Sequence, residues 1–151
     1  MGFLDNLKQK LAEGRGRLVT EVSRFRNATF LEGVVAGAVI ISFADGAVTS
    51  EEKKKLCDYI KVSEDLKCFD TDEVVAAFKK IADAFDFDMG IGKAEALKKV
   101  GRLRGKDEQA RLLVRVAIVI AKSDGNFDDS EKRAVREICA ELNVPVEDFD
   151  C

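Results

Sequence analysis

The chain has 151 residues, the length of one compact domain, and 46% of them are apolar, enough for a core. One Pro and 11 Gly exclude collagen-like and low-complexity classes. Charged residues reach 35% but nearly cancel at a net −3, and His is absent, which removes His-based triads, Cys–His dyads and His-containing zinc sites.

Helical spacing dominates from the first residues. Leu4, Leu7, Leu11, Leu18, Val22 and Phe25 form one stripe, loosened at Gly14 and Gly16. Thr29-x-x-Glu32 reads as a capping box opening a second helix, whose apolar run to Ala44 predicts a buried central element. Asp45-Gly46 ends it, because Gly supplies the left-handed residue a helix exit needs. Thr49-x-x-Glu52 opens a third helix, with Leu56, Tyr59 and Ile60 inward, and Asp70-x-x-Glu73 opens a fourth, with Val74, Phe78, Ile81 and Phe85 on one side. A fifth runs from about Gly90 to Leu103. A sixth, from Asp107 to Lys122, is again strongly apolar. Asp128-x-x-Glu131 opens a seventh, and Pro145 lies just past its end. No segment alternates with period two, so the expected fold is all-α, with about seven helices. Residues 1–26 form a basic N-terminal segment and residues 27–151 a single helical domain with an acidic end.

Cys57, Cys68, Cys139 and Cys151 form no C-x-x-C motif. Cys57 and Cys139 fall on apolar helical faces and read as small buried hydrophobes in a reducing compartment. Met1–Arg26 carries charges throughout and lacks the apolar core of a signal peptide. The longest apolar stretch, Gly33–Ala44, falls well short of the about 20 residues of a membrane span. These features point to a soluble cytoplasmic protein.

The second and third helices resemble the sixth and seventh. At a fixed offset, Val35/Val114, Ala38/Ala117, Ile41/Ile120, Asp45/Asp124, Gly46/Gly125, Glu52/Glu131 and Lys53/Lys132 are identical. The pattern reads as duplication of a helical hairpin whose D-G turns stand in a pseudo-symmetric relation.

Two readings of those turns stay open. In one, Gly46 and Gly125 permit positive φ, Thr49 and Asp128 are N-caps, and Glu52 and Glu131 complete capping boxes. In the other, acids of both turns supply oxygen ligands to a hard cation such as Ca²⁺ or Mg²⁺. An EF-hand is excluded. Counting from Asp124, Asp129 stands where Gly is required and Val135 where the bidentate Glu is required.

The paired helix–D-G–T/D-x-x-E hairpins, the Asn27-Ala28-Thr29-Phe30-Leu31-Glu32 entry and the basic amphipathic N-terminus resemble the TerB family of bacterial tellurite-resistance operons. The resemblance implies an all-helical bundle. It also implies a non-enzymatic cytoplasmic component of a stress-response system, working beside a TerC-type integral membrane protein and TerD-type calcium-binding proteins. The suspected chelating positions would be Asp45, Glu52, Asp124, Asp128 and Glu131.

Charge is polarised along the chain. Residues 1–26 carry Lys8, Lys10, Arg15, Arg17, Arg24 and Arg26 against three acids, whereas residues 128–151 carry eight acids and three bases. The basic stripe reads either as a packed helix with a solvated face or as a helix that docks on a partner or an anionic membrane surface. With no interleaved Trp or Tyr it is a thin footprint for nucleic acid, and none is expected as a partner. The basic head and the acidic tail are expected to form separate clusters, with the tail free for cations or a second protein. Gly90-Ile91-Gly92-Lys93 lacks the phosphate-loop pattern and reads as a helix entry. An alternative function is thiol-based tellurite detoxification or reduction through exposed cysteine.

Overall fold

A computed structural model describes residues 20–46, 48–124 and 127–149. Lys8, Lys10, Arg15, Arg17, Gly125 and Cys151 lie outside the described residues, as does the side chain of Asp124. The described chain is all-α. After a helical stretch at 20–24 come α1 (Ala28–Ser42), α2 (Ser50–Val62), α3 (Thr71–Phe87), α4 (Met89–Gly101), α5 (Asp107–Ala121) and α6 (Asp129–Leu142). Short 3₁₀ turns lie at Glu64–Leu66, Lys122–Asp124 and Val146–Phe149.

The apolar pattern explains the layering. Of the residues from Phe30 to Ile41, all but Glu32 are buried in α1, which packs on α3, α4, α5 and α6. The contact between α1 and α5 is the most extensive in the fold. Gly33 and Gly37 make it close. A Cβ at Gly33 would stand 2.9 Å from Leu113 Cδ1, and one at Gly37 would stand 3.2 Å from Leu113 Cδ2 and 3.3 Å from the Ala117 Cβ. The two helices whose all-round apolarity marks them as central are therefore in direct contact.

Local capping departs from the sequence reading in three places. Thr29 does not cap α1. Asn27 does, its Oδ1 accepting from the Phe30 amide at 2.8 Å, which places Thr29 inside the first turn. Glu32 is instead drawn to α4, where its Oε2 lies 3.6 Å from Lys99 Nζ and accepts from Arg102 Nη1 at 3.1 Å. Lys99 is only 7% exposed, and a charge so desolvated needs an opposite charge more than a helix start needs a second cap. Asp70 occupies the N-cap position of α3 but its side chain makes no capping hydrogen bond. Asp88 caps α4, accepting from the Ile91 amide at 2.9 Å, so the helix starts at Met89, one residue before the expected Gly90.

The α6 exit uses Asn143 in the left-handed region at φ 58°, followed by Pro145. Cys139 is buried as expected, whereas Cys57 is half-buried, because the outer flank of α2 has no helix over it among the described residues.

The corner between α3 and α4 is the tightest backbone approach around a described glycine. A Cβ at Gly92 would fall 2.5 Å from Phe85 Cα and 2.6 Å from Phe85 N. Those are backbone atoms and cannot swing aside. Gly92→Ala is expected to lower stability by about 2 kcal/mol, the scale of an overpacked contact. Urea unfolding checks this: the midpoint should fall with the slope unchanged.

Candidate cation site at the hairpin turns

The first turn follows α1. Phe43 closes the helix, its amide donating to the Val39 carbonyl, and Gly46 takes φ 93°. Asp45 is exposed at this bend. The chain then re-enters a helix at Thr49, whose Oγ1 accepts from the Glu52 amide at 3.1 Å, and Glu52 itself is exposed.

The second turn is built the same way with a stronger cap. Asp128 Oδ1 accepts from the Glu131 amide at 2.9 Å, while Glu131 Oε1 accepts from the Asp128 amide at 3.4 Å, a complete capping box. Glu131 is 9% exposed, so it serves the helix start from within the fold. Lys122 stacks over Phe127 with its Nζ 4.9 Å from the ring centroid, closing the turn from the α5 side.

The two turns lie at the same end of the bundle. A groove lined by Phe43, Gly46 and Phe85 is also lined by Ser130 and Arg133, so the exit of α1 faces the start of α6. A second groove brings Ser123, from the exit of α5, to Val48 and Glu52 at the start of α2. The relation is reciprocal, as the internal repeat implies.

Five residues are candidate ligands, and the structure sorts them. Asp128 and Glu131 stand together but each has an oxygen committed to a backbone N–H. Asp45 and Glu52 are exposed at the first turn. The Asp124 side chain lies outside the described residues. Among the described residues no three Asp, Glu or Cys side chains converge on one point. The candidate donors are carboxylate oxygens, the ligand type that Ca²⁺ and Mg²⁺ take. A cation here would draw on Asp45, Glu52, Asp124 and the second oxygen of Asp128, with Glu131 as their support.

Arg24 and Arg26 are exposed. Three acids of the tail are paired. Glu137 pairs with Lys93 at 2.7 Å, Glu141 with Arg104 at 3.4 Å, and Asp148 with Arg111 at 2.6 Å. Arg24 lines a groove beside the start of α5 together with Arg111. The sequence shows charge blocks but not the bases of α4 and α5 that fold against them.

Cys57 and Cys68 are not activated. Burial pushes the Cys57 thiol up, reinforced by Asp58 and opposed by Lys61 and Lys79. Burial pushes Cys68 up as well, against the smaller opposing pull of Arg26. Both therefore stay protonated at neutral pH, the form that is neither nucleophile nor metal ligand.

The chain matches the family model described as tellurite resistance protein TerB over residues 31–151. It is 42% identical over 118 residues to a protein of Alcaligenes sp. named tellurium resistance protein TerB, a match that covers 78% of this chain and 97% of that protein. No solved structure matches it.

The capping box separates geometry from charge. Asp128→Ala should cost about 1 kcal/mol by removing the cap. Asp128→Asn should leave stability near the original, because the amide oxygen can still accept from the Glu131 amide. For a chain of this size the alanine variant should melt about 3 °C lower, readable by circular dichroism.

Proposed function

The chain belongs to the TerB family of tellurite-resistance proteins, and from that premise we propose that it acts as a non-enzymatic interaction module with a divalent-cation site at its acidic hairpin turns. The observation that carries the reading is the meeting of two related acidic turns at one end of the bundle, with Asp45 and Glu52 exposed and Asp128 held in place by its cap. Ca²⁺ or Mg²⁺ is the ion suited to such a donor set. The raised thiols of Cys57 and Cys68 weigh against direct tellurite chemistry at those positions.

In this reading the protein works in the cytoplasm, at the inner face of the membrane. No described helix is long and apolar enough to cross a membrane. Its bases at Lys8, Lys10, Arg15, Arg17, Arg24 and Arg26 would dock it on a TerC-type integral membrane protein or on an anionic lipid surface, with TerD-type calcium-binding proteins as further partners. What supports the docking is the charge of the segment and the exposure of Arg24 and Arg26.

Calorimetric titration of the full chain with CaCl₂ and MgCl₂ tests the site. The unmodified protein should bind a divalent ion, and Asp45→Asn and Asp124→Asn should each weaken binding by tenfold or so, about 1.4 kcal/mol, with helix content unchanged. Binding that ignores both substitutions would leave the turns with a capping role alone.

Docking is tested by co-sedimentation with vesicles containing phosphatidylglycerol. Charges in water are screened over a Debye length of about 8 Å at physiological ionic strength, so vesicle binding should fall steeply as salt rises. It should be lost in Lys8→Glu/Lys10→Glu. Binding insensitive to both would contradict electrostatic docking.

A further inference from the structure

We propose that the groove where α1, α3, α4 and α6 meet binds a small amphipathic carboxylate, its apolar body on Phe43 and Phe85 and its carboxylate at Arg133. The groove encloses about 370 Å³, within the range of about 300–1,000 Å³ typical of small-molecule sites. Ile40, Phe43 and Phe85 line it and are buried. The two Phe rings meet edge to face with centroids 5.4 Å apart, so the wall they make is already packed and keeps its shape. Where α6 borders the groove the apolar residue is Ala134, whose single methyl leaves the space beside it unfilled. The site uses none of the carboxylates of the turns and does not depend on a cation there.

An apolar surface runs out of the groove. Four large apolar side chains are exposed among the described residues, and three of them, Phe87, Met89 and Ile91, fall within five residues of chain. They form the corner between α3 and α4, and Met89 lines the groove. Phe87 is 82% exposed. Helix capping accounts for Asp88 at this corner but not for the apolar residues on either side of it. Scattered apolar side chains on a surface are ordinary, whereas a cluster continuous with a groove marks a site for an apolar group.

The charges of the groove choose the head group. Lys93 and Glu137 line it and pair at 2.7 Å, which leaves both neutralised. Arg133, one turn before Glu137 on α6, also lines it, is exposed, and has no ion pair among the described residues. The lining therefore carries one uncompensated positive charge. Of the acids next to lining residues in the chain, Asp45, Asp88 and Asp129, none lines the groove. Other grooves balance their charges. The one beside α2 has Glu52 and Lys55, and the one at the start of α5 has three Arg and three acids. A single guanidinium suits a monoanion, and its planar fork takes a carboxylate through two parallel hydrogen bonds.

Amide NMR of the ¹⁵N-labelled full chain tests the site, by titration with sodium decanoate below its micelle-forming concentration and without divalent ions. The amides of Gly46, Gly90 and Ala134 should shift on one binding curve. Arg133→Gln should weaken binding about tenfold, whereas Arg136→Gln, on the same helix but outside the groove, should leave it unchanged. Octanoate should bind about tenfold more weakly than decanoate, because two fewer methylenes are buried. Decyltrimethylammonium, with the same chain and the opposite charge, should bind at least tenfold more weakly. An affinity unchanged in Arg133→Gln, or equal for the two head groups, would overturn the proposal. So would shifts centred on Val48 and Tyr59, in the groove beside α2. A last arm separates a soluble ligand from a bilayer. Co-sedimentation with phosphatidylglycerol vesicles should be the same for Phe87→Ser and the unmodified chain. Vesicle binding lost in Phe87→Ser would assign the apolar corner to the membrane and contradict the site.

Discussion

At positions 33 and 37 the chain carries no side chain, and α1 and α5 close to contact there, with Leu113 and Ala117 filling the space a Cβ would occupy. That approach makes α1 a hub for α3, α4, α5 and α6. Two helices apolar on nearly every face are unstable unless surrounded, so the others are arranged to cover them. The approach also sets where the two hairpin turns emerge. Because α1 and α5 lie against each other, the turns that leave them emerge at one end of the molecule.

That end carries both acidic turns. Each turn must satisfy the free amides of the helix that follows, and does so through Thr49 or Asp128. Capping and cation binding draw on the same oxygens, yet they are compatible at an aspartate. One oxygen of Asp128 accepts from an amide while the other remains available, and the cap holds the carboxylate in one orientation. A threonine has no such spare oxygen, so the first turn depends on Asp45 and Glu52. The two halves of a shared site would therefore be unequal, with the second turn the more rigid.

Most of the fold was legible because its signals are strong and local. Long apolar runs marked α1 and α5, a repeated D-G turn marked the hairpins, and Gly46 has the positive φ its turn requires. What escaped depends on partners distant in sequence. Glu32 reads as half of a capping box until the folded chain brings Lys99 and Arg102 against it. Asp70 has the right type and spacing for a cap but forms none. Glu137, Glu141 and Asp148 of the tail look free in sequence and are paired through Lys93, Arg104 and Arg111. The candidate site was legible as residue types, and the meeting of the two turns followed from the repeat. Which oxygens are already committed is set by backbone amides that only the folded turns bring to them.

The central claim is that carboxylates from both hairpins serve one ion. Paramagnetic broadening by Mn²⁺ tests it most directly, because Mn²⁺ takes the same oxygen ligands and broadens amide signals only nearby. At substoichiometric Mn²⁺, the amides of Gly46 and Thr49 should broaden together with those of Phe127 and Asp128, and added Ca²⁺ should restore all four. Broadening confined to one turn, or spread over exposed acids throughout the surface, would contradict a shared site.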